Sequence, residues 1–370
     1  MLKIAIIGCG KQADAHAVAI QSLQACAIVA LCDTEELMAR QLGERYNIKY
    51  CFTDIKKMLE ATRPDVVHII TPPQTHLTIG KVCLDAGCHI LFEKPFALKT
   101  EEAEALVKEA VAKKLKLTVG HNNQFSHASM RMRELIGRGY LGGPPVHMES
   151  IWCYDLGDPA FAKAFLGDSG HWVRKLPGKL LHNVISHGIS KIAEYLAGEM
   201  PRVVIQSFTG SFLKNLGNTD IVDELRAIIS DSEETTAYFT FSTGIMPKTR
   251  QFRIYGPRNS VVIDEDNQTL IKANNPHYKS YLNHFIPPVG YAKQYLRNSL
   301  TNISKFLRND FHFEYGRKHL IELFYESIRD GSPLPLSYRE ILLTSRIMDS
   351  IFAQINSATA PDSGIKEGSF

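Results

Sequence analysis

The chain has 370 residues, 44% of them hydrophobic and 22% charged, with a formal net charge of +3; this is the make-up of an ordinary globular protein with material for about two domains. So small a net charge excludes a whole-molecule attraction to nucleic acid or membranes, and no apolar run approaches the roughly 18 residues that a membrane span needs. Seven cysteines without a C-x-x-C pair, and a start directly on a core strand that leaves no space for a signal peptide, lead to the expectation of reduced thiols in a cytoplasmic protein.

Residues 2–7 are apolar except for Lys3 and run straight into Gly8-Cys9-Gly10-Lys11-Gln12-Ala13 and a helical segment over 14–23. Strand, glycine turn and helix together make a dinucleotide-binding fingerprint. Gly8 permits the tight turn, Gly10 lets the backbone approach a pyrophosphate, and Ala13 allows close packing of helix on strand. The helix N-terminus adds free N–H groups and the positive end of its dipole. A second strand, 27–32, ends in Asp33, 23 positions after Gly10. A carboxylate there accepts from both ribose hydroxyls and repels a 2′-phosphate, which favours NAD over NADP.

The pattern then alternates: helix 35–46, strand 50–52, helix 55–61, strand 66–70, helix 76–86, a strand from 89 into Glu93-Lys94-Pro95, helix 100–113 and strand 115–120. Such alternation predicts a doubly wound parallel sheet. Thr71-Pro72-Pro73 lies at the same carboxyl edge as Gly8, Asp33 and Lys94, where open α/β sheets bind ligands. Thr75 reads as a helix N-cap, and His76 either touches the cofactor or simply occupies a first helical turn. Lys94 is the candidate centre of the chemistry, oriented by Pro95; an exposed ion pair of Glu93 and Lys94 is the other reading.

After residue 120 the periodicity changes. A polar connector, 121–125, precedes a helix over 128–138 and strands at 146–154, 203–212, 221–230, 235–242, 252–255 and 260–263. Strands without crossover helices predict an antiparallel sheet, so the expected division is a Rossmann domain, 1–121, and an α+β domain, 122–370. The segment 180–196 has a helical pattern that puts Asn183 and His187 on one face. His171, His182 and His187 lack a recognised zinc spacing, and no metal site is expected. Residues 276–311 interleave Tyr, Phe and Leu with Lys293, Arg297, Lys305 and Arg308. A membrane-surface or partner-binding helix fits that pattern, and so does a helix packed on its own domain or on a neighbouring subunit. Helices over 314–330 and 338–355 follow, and residues from 357 onward read as frayed.

Gly8-Cys9-Gly10 with His16, Thr71-Pro72-Pro73-x-x-His76 and Glu93-Lys94-Pro95 together resemble the glucose-fructose oxidoreductase/inositol dehydrogenase/MocA (Gfo/Idh/MocA) family. The resemblance runs on through Gln124-Phe125 and the 180–196 segment. It implies an N-terminal Rossmann domain, a C-terminal domain whose large open, mostly antiparallel sheet makes homo-oligomer contacts, and pyridine-nucleotide redox chemistry on a sugar, sugar nucleotide or cyclitol. Lys94 matches the family's active-site lysine and His187 its catalytic histidine. Asn183 and Ser190 stand where aspartates are usual, so position 183 can hydrogen-bond a hydroxyl and cannot accept a proton. Gln124, Arg131, Tyr154, Trp172 and Arg174 lie in segments that contribute to family substrate pockets. The cofactor-binding set is then Gly8, Gly10, Lys11, Gln12, Ala13, Asp33, Thr71, Pro72, His76, Glu93 and Lys94.

The expected reaction is hydride transfer from a secondary alcohol. His187, with an ordinary pKa near 6.5, acts as base, Lys94 steadies the developing oxyanion, and Asn183 orients substrate or His187. Two other readings stay open: a tightly held NAD that serves internal redox for elimination or transfer, and a dinucleotide-dependent regulator without catalysis.

Overall fold

A computed structural model describes residues 1–157, 170–215, 217–231, 235–274, 278–311 and 314–359. The first sheet contains β1 (Leu2–Ile7), β2 (Cys26–Cys32), β3 (Cys51–Phe52), β4 (Val66–Ile69), β5 (His89–Phe92) and β6 (Leu117–Val119). All pairs are parallel, in the order β3-β2-β1-β4-β5-β6. The connecting helices are α1 (Lys11–Gln21), α2 (Glu36–Tyr46), α3 (Ile55–Thr62), α4 (His76–Asp85) and α5 (Thr100–Ala112). Both faces of the central strands are covered. Ile4 and Ile6 pack with Ala17 and Ile20 of α1, whereas Ala5 and Ile7 face the layer that contains Met58, Leu84 and Leu106. This two-sided burial explains why the strands read as continuous apolar runs.

The connector is a 3-10 turn, Asn122–Phe125, followed by α6 (His127–Gly137) and β7 (His147–Cys153). The sequence predicts one helix over 180–196, but the chain forms two, α7 (Lys179–Val184) and α8 (Ser186–Tyr195), that meet at Ile185. The second sheet is completed by β8 (Arg202–Phe208), β9 (Glu224–Ser230), β10 (Thr236–Ser242), β11 (Arg250–Tyr255), β12 (Asn259–Asp264) and β13 (Thr269–Asn274), in the order β13-β12-β11-β7-β10-β9-β8. Three features depart from expectation. The central pair β7 and β10 is parallel, and strand β13 was not foreseen. The predicted strand 203–212 also stops early, because Phe212 belongs to the short helix α9 (Ser211–Asn215).

Three long helices close the chain: α10 (Ile286–Leu307), α11 (Tyr315–Asp330) and α12 (Tyr338–Thr359). Helix α12 joins the core under the second sheet through Ile347, Ile351 and Phe352. Helix α11 returns to the first sheet, where Ile321, Phe324 and Tyr325 pack among Ile4, Ile6 and Ile20. Residues from late in the sequence therefore complete the core around the first sheet. The expectation of a frayed end from 357 falls partly on α12, which runs to Thr359; the remainder lies outside the described residues.

Gly8 fixes the distance between β1 and the loop after β4. Its φ is +93°, and a Cβ there would lie 2.8 Å from the Ile70 carbonyl carbon and 2.9 Å from the Thr71 nitrogen. No side chain fits without moving one strand end. The Gly8→Ala variant is expected to lose about 2–3 kcal/mol of unfolding free energy and its dinucleotide affinity with it, checked by urea titration and cofactor fluorescence; wild-type values in both would contradict this account of the turn.

Candidate active site

The carboxyl ends of β1, β2, β4 and β5 open into a cleft of about 920 Å³. Gly8, Gly10, Lys11, Gln12, Asp33, Thr71, Pro72, Glu93, Lys94, Trp172 and Asn183 all line it, so most of the residues proposed from sequence come together. At its floor, no side chain caps the N-terminus of α1, and a Cβ on Gly10 would meet nothing within 4 Å. An open backbone at an uncapped helix start is a cradle for a pyrophosphate. Asp33 is held at the rim: its Oδ2 accepts from the Cys9 N–H (2.6 Å) and its Oδ1 from the Glu35 N–H (3.0 Å). Thr53, Asp54, Ile55 and Lys56 complete this end of the cleft; they follow a strand of two residues, and nothing in the sequence marks them.

Seven sequence candidates, Ala13, His76, Gln124, Arg131, Tyr154, Arg174 and His187, are not among the residues that line this cleft. Ala13 is fully buried beneath the turn, where it packs rather than touches a ligand. His76 is buried, with Nδ1 2.9 Å from the Phe96 carbonyl and Nε2 2.8 Å from that of Thr71; it braces two loops instead of contacting a cofactor. Burial lowers its pKa, although both carbonyls pull the other way. Gln124 donates to Glu194 Oε2 (2.9 Å), and Glu194 also pairs with Arg133 (2.7 Å). Arg174 pairs with Asp220 (3.2 Å). Tyr154 packs against the second-sheet core. Thr75 likewise caps nothing, since its hydroxyl donates to the Pro72 carbonyl (2.8 Å).

Lys94 stands at the inner end of the cleft, before a cis peptide bond to Pro95. Its Nζ donates to the Asn183 carbonyl (3.0 Å) and to Asn183 Oδ1 (3.3 Å). Burial lowers its pKa, and Glu93 opposes that. His187 is near enough to feel the Lys94 charge. Burial first, and then Lys94 and His121, push its pKa well below the ordinary value, while Nδ1 is buried without a hydrogen-bond partner. The expectation of a histidine poised near 6.5 is therefore corrected: His187 is a neutral imidazole with an unused ring nitrogen. Ser190 donates to the His187 carbonyl (3.2 Å) and so bonds within its own helix.

Glu93 anchors the strand that delivers Lys94. Burial alone would raise its pKa, but the hydrogen bond from His16 and the nearby Arg317 hold the carboxyl below the usual range. His16 Nε2 lies 2.9 Å from Glu93 Oε1, His16 Nδ1 2.9 Å from His68 Nδ1, and His68 Nε2 2.9 Å from the Tyr325 hydroxyl. Burial keeps both imidazoles neutral. One arrangement of protons then satisfies every contact: Tyr325 donates to His68, His68 to His16, and His16 to the carboxylate. Arg317 Nη2 reaches Gln12 Oε1 (2.9 Å) and lies 3.8 Å from Glu93 Oε1. Arg317 and Tyr325 have no motif; the one trace in sequence is Gly316, a glycine inside a helical pattern, where a Cβ would lie 2.3 Å from the Asn122 carbonyl oxygen.

A second cavity, of about 500 Å³, lies between the connector, β12 and α11, with Arg250, Glu265, Phe306 and Arg317 among its walls. The Arg250 guanidinium sits 5.4 Å from the Trp152 ring, which in turn lies 5.4 Å from the His187 ring. Behind it, buried Lys191 pairs with Glu265, which accepts from Ser126 and Ser129 (3.0 Å each). No group of three candidate metal ligands occurs among the described residues.

Residues 2–121 match the oxidoreductase family with an NAD-binding Rossmann fold, GFO_IDH_MocA. Over those residues the chain is a Gfo/Idh/MocA-type NAD-binding domain. It is similar to D-glucoside 3-dehydrogenase of Escherichia coli, with 33% identity over 142 residues, 38% of this chain and 40% of that one. The chain thus aligns with about two fifths of that relative's length. D-apiose dehydrogenase of Paraburkholderia graminis is similar over 91% of this chain and 90% of its own length, at 24% identity. Among solved structures, an NAD-binding oxidoreductase from Klebsiella pneumoniae shares the fold with a TM-score of 0.78 at 19% identity, covering 96% of this chain and 97% of that one. The fold seen here is thus shared with that structure over nearly the whole of both chains.

Histidines 16, 68, 76, 121 and 182, all buried, and the partly buried His187 have lowered pKa values, those of His121 and His182 to about 4. Below pH about 6.5 the unfolded chain binds these protons and the folded chain does not, so stability falls with pH by up to about 1.4 kcal/mol per pH unit for each group. Urea titrations between pH 7.5 and 5 are expected to show that loss, with a slope shallower by about one proton in His182→Gln; an unchanged slope would mean that His182 titrates normally.

Proposed function

We propose that this chain is a pyridine-nucleotide dehydrogenase that oxidises, reversibly, a secondary alcohol of a sugar, sugar nucleotide or cyclitol, with Lys94, His187 and Asn183 as its working residues. The observation that carries this reading is a dinucleotide-sized cleft lined by Lys94, which is hydrogen-bonded to Asn183 of the second domain, with His187 close enough for the Lys94 charge to depress its pKa. Hydride acceptance is the chemistry that NAD supplies when bound. An unused His187 ring nitrogen can take the hydroxyl proton, and its low pKa keeps that acceptor free of protons across the neutral range. The Lys94 ammonium, beside the same oxygen, stabilises negative charge as it develops there. Asn183 positions Lys94 through two acceptors, a duty that an amide performs as well as the aspartate usual in the family. Trp172, on the cleft wall, is the substrate-side residue best placed among those read from the sequence.

Asp33 supports NAD rather than NADP, since a carboxylate anchored at the end of β2 accepts from ribose hydroxyls and repels a 2′-phosphate. On the open face of the second sheet, Val204, Ile228 and Tyr238 form one row across β8, β9 and β10, all about half exposed. That apolar row supports a homo-oligomer formed through the sheet. Nothing here calls for a nucleic-acid partner.

The test is absorbance at 340 nm with NAD and a panel of free sugars, nucleotide sugars and cyclitols. NADH is expected from one class. Lys94→Ala and His187→Ala are expected to lower kcat by about a hundredfold or more, and undiminished turnover in either would remove that residue from the mechanism. In Asp33→Ala the preference for NADH over NADPH, read by fluorescence titration, is expected to shrink by about tenfold or more from the loss of one charge-assisted contact; a preference that survives intact would assign selectivity elsewhere, with Lys56 the next residue to vary.

A further inference from the structure

Helix α10 is built the opposite way round from an ordinary surface helix. Its polar stripe faces the protein. Gln294, Asn298 and Asn302, spaced by four, point at edge strand β13. The Gln294 amide bonds both the N–H (2.8 Å) and the carbonyl (3.0 Å) of Lys272, the Asn298 amide bonds both groups of Leu270 (3.1 and 2.9 Å), and Asn302 donates to the Asn267 carbonyl (3.0 Å). Only Asn298 of the whole helix is buried. On the far side Val289, Leu296, Leu300, Ile303, Phe306 and Leu307 are 54–76% exposed. Lys293, Arg297 and Arg308 flank this stripe, exposed and without an ion pair among the described residues.

The charge around the stripe indicates what covers it. From residue 267 to 309 the sequence carries six Lys and Arg and no Asp or Glu. A second copy seated on this face would set cations against cations, with no carboxylate from either helix to pair them. An anionic phospholipid surface offers acyl chains to the apolar stripe and headgroup charge to its flank, the combination that holds interfacial helices. The aromatic residues Tyr281, Phe285 and Tyr295, all more than half exposed, suit the headgroup level. No helix among the described residues is long and apolar enough to cross a membrane, and α10 is stitched along its length to β13, so it lies flat. From these observations we infer that the protein docks on an anionic bilayer through the outer face of α10. Phe306 belongs to that face and also lines the second cavity, so the docked surface reaches the rim of that cavity.

The experiment is flotation of the full-length protein with vesicles of phosphatidylcholine alone and of phosphatidylcholine mixed with phosphatidylglycerol. The protein is expected to float with the anionic vesicles, less so at high salt, and to stay behind with neutral ones. Leu296→Glu/Leu300→Glu is expected to abolish flotation. Lys293→Gln/Arg297→Gln/Arg308→Gln is expected to weaken binding by about a hundredfold, from the usual contribution of each cation near an anionic surface. Circular dichroism and NADH binding serve as fold controls, since none of these residues lines the nucleotide cleft. Failure of the wild type to float overturns the inference, as does flotation that both variants retain. A wild type that does not float, and whose light-scattering mass halves in Leu296→Glu/Leu300→Glu, would instead assign the face to a second copy.

Discussion

The site depends on one buried carboxylate. Glu93 is buried, so its charge must be met largely by fixed donors. It accepts from His16 on α1 and from the backbone N–H of Lys94, and Arg317 on α11 stands close by. His16 leads on to His68 on β4, and His68 to Tyr325 on α11. A single anion therefore ties two strands and two helices at the point where the chain turns out of β5 to present Lys94. Two imidazoles that stay neutral give this chain of hydrogen bonds one direction, which leaves no ambiguity about which face of each ring meets its neighbour.

The same arrangement explains how much of the molecule was legible in the sequence. The nucleotide-binding half was readable because its signals are local: a glycine turn between a strand and a helix, an acidic strand end, and apolar runs of the length of buried parallel strands. Lys94, Asp33 and Asn183 were found because each lies at the end of, or within, an element that its own neighbours define. Arg317 and Tyr325 were not, because they act on Glu93 from more than 200 positions away and belong to a helix whose pattern is that of any core helix.

The misreadings have the same origin. His76 looked like a ligand from its neighbourhood in the motif, and is a brace because Phe96 and Thr71 offer it two carbonyls. Gln124 and Arg174 were drawn from the resemblance, and each has a carboxylate nearby that takes up its side chain. The break at Ile185 left no sequence signal, since neither glycine nor proline marks it, and it separates Asn183 and His187 onto two helices. A parallel pair at the centre of the second sheet is likewise invisible to a reading that infers strand direction from the shortness of connections.

The amides of α10 have a consequence for how the protein behaves in a crowd. Strand β13 ends its sheet, and an end strand with vacant N–H and C=O groups is a template on which another chain can add. Gln294 and Asn298 occupy both groups of the residues they face, so side chains take the place of a missing neighbour strand. Growth of the sheet past β13 is thereby blocked without proline or a bulge. The ribbon is terminated at this edge, and copies of this chain cannot prolong one another's strands through β13.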